Sequence, residues 1–250
     1  MTRSFSSTGI IIRIATLGES DRFVTFFTKE HGKLTSIAKG IRSVKSRRSP
    51  HIELMNRVKF QYWRSKHHLY LTQAQSEENF RDLKIDMPPL ASGAFVIETL
   101  ERLTPDEEPN PALFDLLNQT LKVMNFYPHK HVELREAFLI KLLQQLGHIT
   151  SFRTCSQCHQ KLPQTSAYLN RTQCTLTCES CSQKSGLFPD EEVSLGTLKL
   201  MHFILEHPIH AVLKVKTSAK HIDLMSHFGR IFLSQILTYP LKSERALNLY

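Results

Sequence analysis

Four of the chain's five cysteines stand in two pairs, Cys155-Ser-Gln-Cys158 and Cys178-Glu-Ser-Cys181, with nineteen residues between the pairs. Each C-x-x-C turn offers two thiolates from one tight knuckle. Two knuckles folded against each other complete a soft tetrahedral set, the preference of Zn²⁺. Four thiolates leave no open coordination position, so the predicted chemistry is one structural Zn²⁺ rather than a catalytic metal. The polar neighbours Ser156, Gln157, Glu179 and Ser180 argue against a set of buried core thiols. Cys174 is left over as a spectator. Two enzyme-like strings overlap these cysteines. Cys155-Ser-Gln-Cys158-His159 matches a haem-attachment string, but that chemistry needs export, and the N-terminal residues lack the apolar core of a signal peptide. His131-Val-Glu133 ahead of the first pair approximates a deaminase signature, but Thr154 replaces its proline and the second pair would go unexplained.

The second chemical feature is charge. Between residues 33 and 66 lie ten cations, Lys33, Lys39, Arg42, Lys45, Arg47, Arg48, Arg57, Lys59, Arg64 and Lys66, against the single acid Glu53. That window nets +9, the formal net charge of the whole chain, and the remaining 22 basic and 22 acidic residues cancel. A field this localised points to a polyanion, most commonly nucleic acid. Five of the cations fall on residues 39–48 without an acid, which exceeds what a solvated loop requires. No phosphate-binding Gly-rich loop, dinucleotide turn or nucleophile elbow is present, and no catalytic set is expected.

Short strands must position this charge. Period-two patterns run through Ile10–Ala15, Phe23–Phe27, Leu34–Ala38, Arg57–Trp63 and His67–Gln73. Five such strands in about 70 residues fit a small closed β-barrel. Parity places Val58, Phe60, Tyr62, Leu69 and Leu71 in its core and Arg57, Lys59, Gln61, Trp63, His68 and Tyr70 outside. Cations beside rings suit a single strand, whose phosphates and bases they engage. Residues 40–50 read as an exposed loop. After Ser76 the period becomes helical. Asn110 and Pro111 start a helix, and residues 131–146 form one that is apolar over most of its circumference and stops at Gly147. Two more helices are expected at about 192–206 and 218–238. The apolar fraction of 41% suits a globular chain, and no run of about 18 apolar residues exists to span a membrane. The expected location is a reducing cytoplasm, with the chain associated with the nucleoid. The predicted organisation is α+β and multi-domain: a barrel over 1–78, a helical domain over 79–151 and 186–250, and the cysteine segment 152–185 inserted into it.

These residues also carry a resemblance. Residues 18–33, from Gly18-Glu-Ser-Asp-Arg22 to Glu30-His-Gly-Lys33, with Ala38-Lys-Gly-Ile-Arg42 and Lys45-Ser-Arg47, resemble the N-terminal signature of the bacterial recombination mediators of the RecO family. Glu98-Thr-Leu-Glu-Arg-Leu103, Glu108-Pro-Asn-Pro-Ala-Leu-Phe114, Leu134-Arg-Glu-Ala-Phe138 leading into the first cysteine pair, and Pro240-Leu-Lys-Ser243 continue the likeness in order. The segment between the cysteine pairs departs from it, being poor in aromatic residues and glycine and carrying Cys174. The resemblance implies an N-terminal OB-fold, a helical domain and a zinc ribbon. It implies a non-enzymatic mediator that binds single- and double-stranded DNA, anneals complementary strands without ATP and joins RecR. It also implies contact with the acidic, hydrophobic tail of single-stranded-DNA-binding protein, help in loading RecA, and RecF as a further partner. A rival from another class is a zinc-ribbon adaptor of transcription or RNA type, whose basic patch meets RNA or an acidic protein.

Overall fold

Alternating apolar residues give way to turn signals at Gly18 and Gly32, and the chain there folds into antiparallel strands. The computed structural model describes residues 4–43, 46–149, 152–162, 166–170, 175–185 and 191–247. Strands β1 (Ser4–Leu17), β2 (Asp21–Thr28), β3 (Gly32–Ala38), β4 (Arg57–Arg64) and β5 (Leu69–Glu78) close a barrel in the order β1-β2-β3-β5-β4. Only the β3–β5 pairing is parallel. Phe26 and Phe60 stack at 4.0 Å inside the barrel, with Ile11, Val24, Leu34, Val58, Tyr62, Leu69 and Leu71 around them. Closure leaves no free sheet edge, which is how a short all-β segment avoids pairing with other chains.

The outer side of the barrel is not all exposed. Ile10, Ile11 and Ile12 are all buried. Ile11 enters the barrel core, while Ile10 and Ile12 lie outside that cluster on the strand against which helix α1 (Met87–Leu103) packs. Helix α2 (Pro111–Phe126) brings Phe114 to Phe27 of β2, 6.5 Å between ring centres. Its first turn is fixed by the Asn110 side chain, which accepts from the Leu113 amide at 3.0 Å, with Pro111 at the first helical position. Gly32 turns with φ of +65°, and a Cβ there would lie 2.1 Å from the Glu108 carbonyl oxygen. The acidic loop 104–110 is therefore seated directly on the β2–β3 turn.

The chain divides into two compact units. One comprises residues 1–131 and 241–250, the other residues 132–240. The C-terminal helix (Lys242–Ala246) belongs to the first, where the Glu98 carboxylate accepts from the Lys242 and Ser243 amides at 2.9 and 2.8 Å. A carboxylate on the free amides of a helix start is a favourable cap.

The second unit contains α3 (His131–Gln145) from its second residue on, the strands β6 (Ser166–Asn170), β7 (Thr175–Thr177) and β8 (Glu191–Ser194) in the order β7-β6-β8, and the helices α4 (Glu179–Ser185), α5 (Leu195–Glu206) and α6 (Ala219–Ile236) before α7 (Lys242–Ala246) returns to the first unit. Helix α3 is buried from Leu134 to Leu143, including Arg135 and Glu136, which pair with each other at 2.5 Å. Helix α6 approaches α3 closely at Gly229, where a Cβ would meet Leu139 Cδ2 at 2.4 Å.

Candidate nucleic-acid interface and metal centre

The outward residues of β4 and β5 form a polar ladder. Lys59 lies opposite Gln75 and Gln61 opposite Gln73. A bulge at Thr72, whose hydroxyl donates to the Gln61 carbonyl at 3.1 Å, lets Thr72 and Gln73 both face solvent while Leu71 and Ala74 keep to the interior side. The loop after β3 arches beside this ladder. Arg48 holds it there, its guanidinium donating to the Leu71 carbonyl at 2.5 Å and to the Lys39 carbonyl at 2.6 Å. Between loop and ladder opens a cleft of about 970 Å³, bordered by Lys39, Arg47, Arg48 and Lys59, by Ser6, Ser43, Ser46 and Thr72, and by Gln61, Gln73 and Gln75. No carboxylate lines it among the described residues. His51 also borders it, with Nδ1 taking the Ser76 amide at 3.2 Å and facing the Ser76 hydroxyl at 3.1 Å.

The fold does not bring all of the basic window to this cleft. Lys33 has a side chain only 9% exposed, paired with Asp106 at 3.2 Å and donating to the Glu101 carbonyl at 2.8 Å. It is a tie between β3 and the acidic loop, and its expected exposure to DNA gives way to that role. Arg57 pairs with Glu77 and Glu78 at 3.2 and 3.0 Å, and Arg64 with Glu107 at 3.3 Å. Glu53, the one acid of the window, is taken by Lys84 from outside it, at 2.9 Å. Burial pushes the Lys84 ammonium below the usual lysine range, with Glu53 working against that shift. Arg42 and Lys66 are exposed but do not line the cleft, and Lys45 lies outside the described residues. Trp63 stacks on Tyr70 at 4.5 Å and 14°, and the Lys39 ammonium lies 5.1 Å from the centre of the Tyr70 ring.

In the second unit, four thiols converge. The sulfur atoms of Cys155, Cys158, Cys178 and Cys181 all lie within 4.8 Å of one another, with Cys158 and Cys178 at 3.9 Å. Zn–S bonds of about 2.3 Å place tetrahedral sulfurs about 3.8 Å apart, so this spacing fits the ion. The first knuckle is closed by the His159 amide on the Cys155 carbonyl and by the Cys155 amide on the Gln160 carbonyl. The second is the start of α4, where the Cys181 and Ser182 amides return to the Cys178 carbonyl. Burial opposes a thiolate at Cys155, but amides of Cys158, Cys178 and Gln157 outweigh it and bring its pKa down to about 6. Cys181 is pushed up to about 12, chiefly by its hydrogen bond with Cys178. A cluster with one thiolate already favoured, and three more sulfurs within reach, can hold a metal. Cys174 lies outside the described residues.

Residues 1–80 match the family model described as recombination protein O N terminal, and residues 86–245 match the one described as recombination protein O C terminal. The chain belongs to the recombination protein O family. It is 28% identical over 212 residues to a DNA repair protein RecO of Dehalococcoides mccartyi, spanning 85% of this chain and 82% of that one. It is 26% identical over 249 residues to a DNA repair protein RecO of Pelotomaculum thermopropionicum, spanning 98% and 92%. This chain is thus a DNA repair and recombination protein of the RecO family, with an OB-like barrel at its N-terminus and helices after it. No described helix is long and apolar enough to cross a membrane.

Sequence reasoning could not place a third feature of this RecO chain. In the second unit a cleft of about 450 Å³ has Phe152, Leu162, Leu195, Leu198 and Phe203 among its lining. Lys161, Lys199, His202 and His207 border it, and Arg153 pairs there with Glu206. Burial and then the Arg153 charge hold His202 below the usual histidine range. Its residues come from a knuckle flank and from one helix and its C-cap 33 to 55 positions later, so no contiguous motif marks it. His51 and the three glutamines of the barrel cleft were also missed as a set. Strand parity had already placed Lys59 and Gln61 outside, but it could not signal Gln73 and Gln75, because the bulge at Thr72 inverts the alternation set by Leu69 and Leu71, nor His51, which lies outside the strands.

Proposed function

We propose that this protein is a non-enzymatic recombination mediator that binds single- and double-stranded DNA and anneals complementary strands without ATP, acting in the cytoplasm at the nucleoid. The observation that carries this reading is the barrel cleft, where loop and strand cations converge with no carboxylate among the described residues that line it. Cations on this surface lower the electrostatic cost of bringing two phosphate chains together, and base pairing supplies the free energy of annealing. Lys39, Arg47, Arg48 and Lys59 are the proposed direct contacts, Arg42, Lys45 and Lys66 the surrounding field, and Trp63 and Tyr70 a neighbouring ring pair. Functionally we divide the chain into the barrel at 1–78, a helical body at 79–151 and 186–250, and the cysteine segment at 152–185. The four cysteines fit one structural Zn²⁺, which would tie the two knuckles together when bound.

Membership of the family supports the finer partners: RecR, help in loading RecA onto coated single strands, and RecF. For the acidic, hydrophobic tail of single-stranded-DNA-binding protein, the chemistry of the second cleft supports a site. Apolar side chains would seat the tail's hydrophobic end, and Lys161 and Lys199 would meet its carboxylates. The test is an annealing titration with complementary oligonucleotides in the absence of nucleotide, on bare strands and on strands coated with single-stranded-DNA-binding protein. Acceleration of both is expected. Failure to accelerate annealing of bare strands at low salt would overturn the reading.

A further inference from the structure

We infer that the barrel cleft grips a single DNA strand by its sugar–phosphate chain and leaves the bases turned out to solvent. This rests on the DNA-binding reading above and adds the orientation of the ligand. Proteins that hold single strands by their bases present ring faces on which bases stack. Among the described residues the cleft offers no such platform. Its rings there are Phe60, 2% exposed and stacked inside the barrel, and the small, half-buried His51 imidazole, held through Nδ1 by Ser76. The rings nearby are engaged with one another: the half-buried Trp63 and Tyr70 stack, the Lys39 ammonium lies 5.1 Å from the centre of the Tyr70 ring, and the exposed His68 meets Tyr70 edge-on.

What the cleft does offer is suited to phosphate and sugar oxygens. Lys39 and Arg47 stand on the loop side, and Lys59 on the strand side. Between them the side-chain amides of Gln61, Gln73 and Gln75 give neutral donors at the cross-strand spacing. Such contacts position a backbone and carry no base information. A strand held this way keeps its Watson–Crick edges free for a second strand, which is the geometry annealing requires. Binding should accordingly be indifferent to base identity and even to the presence of bases.

The experiment uses the full chain and two labelled 20-residue probes at low salt, oligothymidine and an abasic oligomer with the same backbone. The expected result is an abasic affinity within about threefold of the thymidine affinity, thymines that stay reactive to permanganate in the complex, and little quenching of Trp63, the only tryptophan in the chain. A stacked base is worth about tenfold in affinity or more. An abasic loss of that size, or protection of the thymines, would overturn the orientation while leaving DNA binding intact. Failure of both probes to bind would overturn the DNA-binding reading and the orientation with it.

Discussion

The two clefts carry similar cations over different floors. In the barrel, Lys39, Arg47 and Lys59 surround glutamines and hydroxyls. In the second unit, Lys161 and Lys199 surround phenylalanines and leucines. A cation alone does not choose between DNA and an acidic peptide, since both are anionic chains. The floor chooses. Amides and hydroxyls can follow a backbone of phosphates without burying anything apolar, whereas an apolar floor gains only by covering hydrophobic side chains. On the proposed reading, specificity lies in the residues between the charges.

That contrast can be broken most forcefully in the barrel. Reversing Lys39, Arg47 and Lys59 to Glu is expected to lower single-strand affinity about 1,000-fold, read by anisotropy, with the thermal unfolding midpoint little changed because none of the three has a carboxylate partner in the described residues. Next in size is the metal. Native protein is expected to carry one Zn²⁺ per chain, and Cys178→Ser with Cys181→Ser to lose it, costing about 3 kcal/mol or more, or about 6–12 °C in midpoint. Retained stability with no metal in the native protein would contradict the structural role of the cluster. A third test crosses the two clefts: Phe203→Ala with Lys199→Glu should weaken a peptide of the acidic, hydrophobic tail about 30-fold and leave oligonucleotide affinity unchanged.

Smaller effects sharpen the distinction between free and committed cations. Arg64→Gln, which removes the partner of Glu107, should change DNA affinity less than about threefold, as an exposed ion pair already neutralised by a neighbour. The smallest is a pH effect at His202. Its folded pKa lies below its unfolded value, so the unfolded chain takes the proton first. Its contribution is full above the usual histidine range and declines as pH falls through and below about 6.5. His202→Gln should flatten that part of the urea-midpoint profile.

Much of the barrel was legible in the sequence because its strands alternate and its turns carry Gly18 and Gly32. The cysteine spacing likewise predicted a converging set of four. The charge window was misleading in one respect. Counted along the chain, ten cations faced one acid, but Asp106, Glu107, Glu77 and Glu78 reach Lys33, Arg57 and Arg64 from outside the window. Neutralisation happens in space, and a count along the chain cannot include partners that only the fold supplies. Lys33 is the clearest case, since its place after a Gly turn on a short strand gave no sign that the acidic loop would cover it. The second cleft was illegible for the same reason, being assembled from a knuckle flank and a distant helix. Conversely, the buried face of Ile10 and Ile12 shows why strict alternation weakened in β1, where helices cover the outer side of the barrel.

The central claim is that the basic barrel cleft holds phosphates, and the most direct measurement is the salt dependence of oligothymidine affinity for native protein and for a variant with Lys39, Arg47 and Lys59 changed to Gln. The prediction is that the slope of log affinity against log salt becomes shallower by about 2 in the variant, three contacts at about 0.7 each. Equal slopes for the two proteins would contradict it.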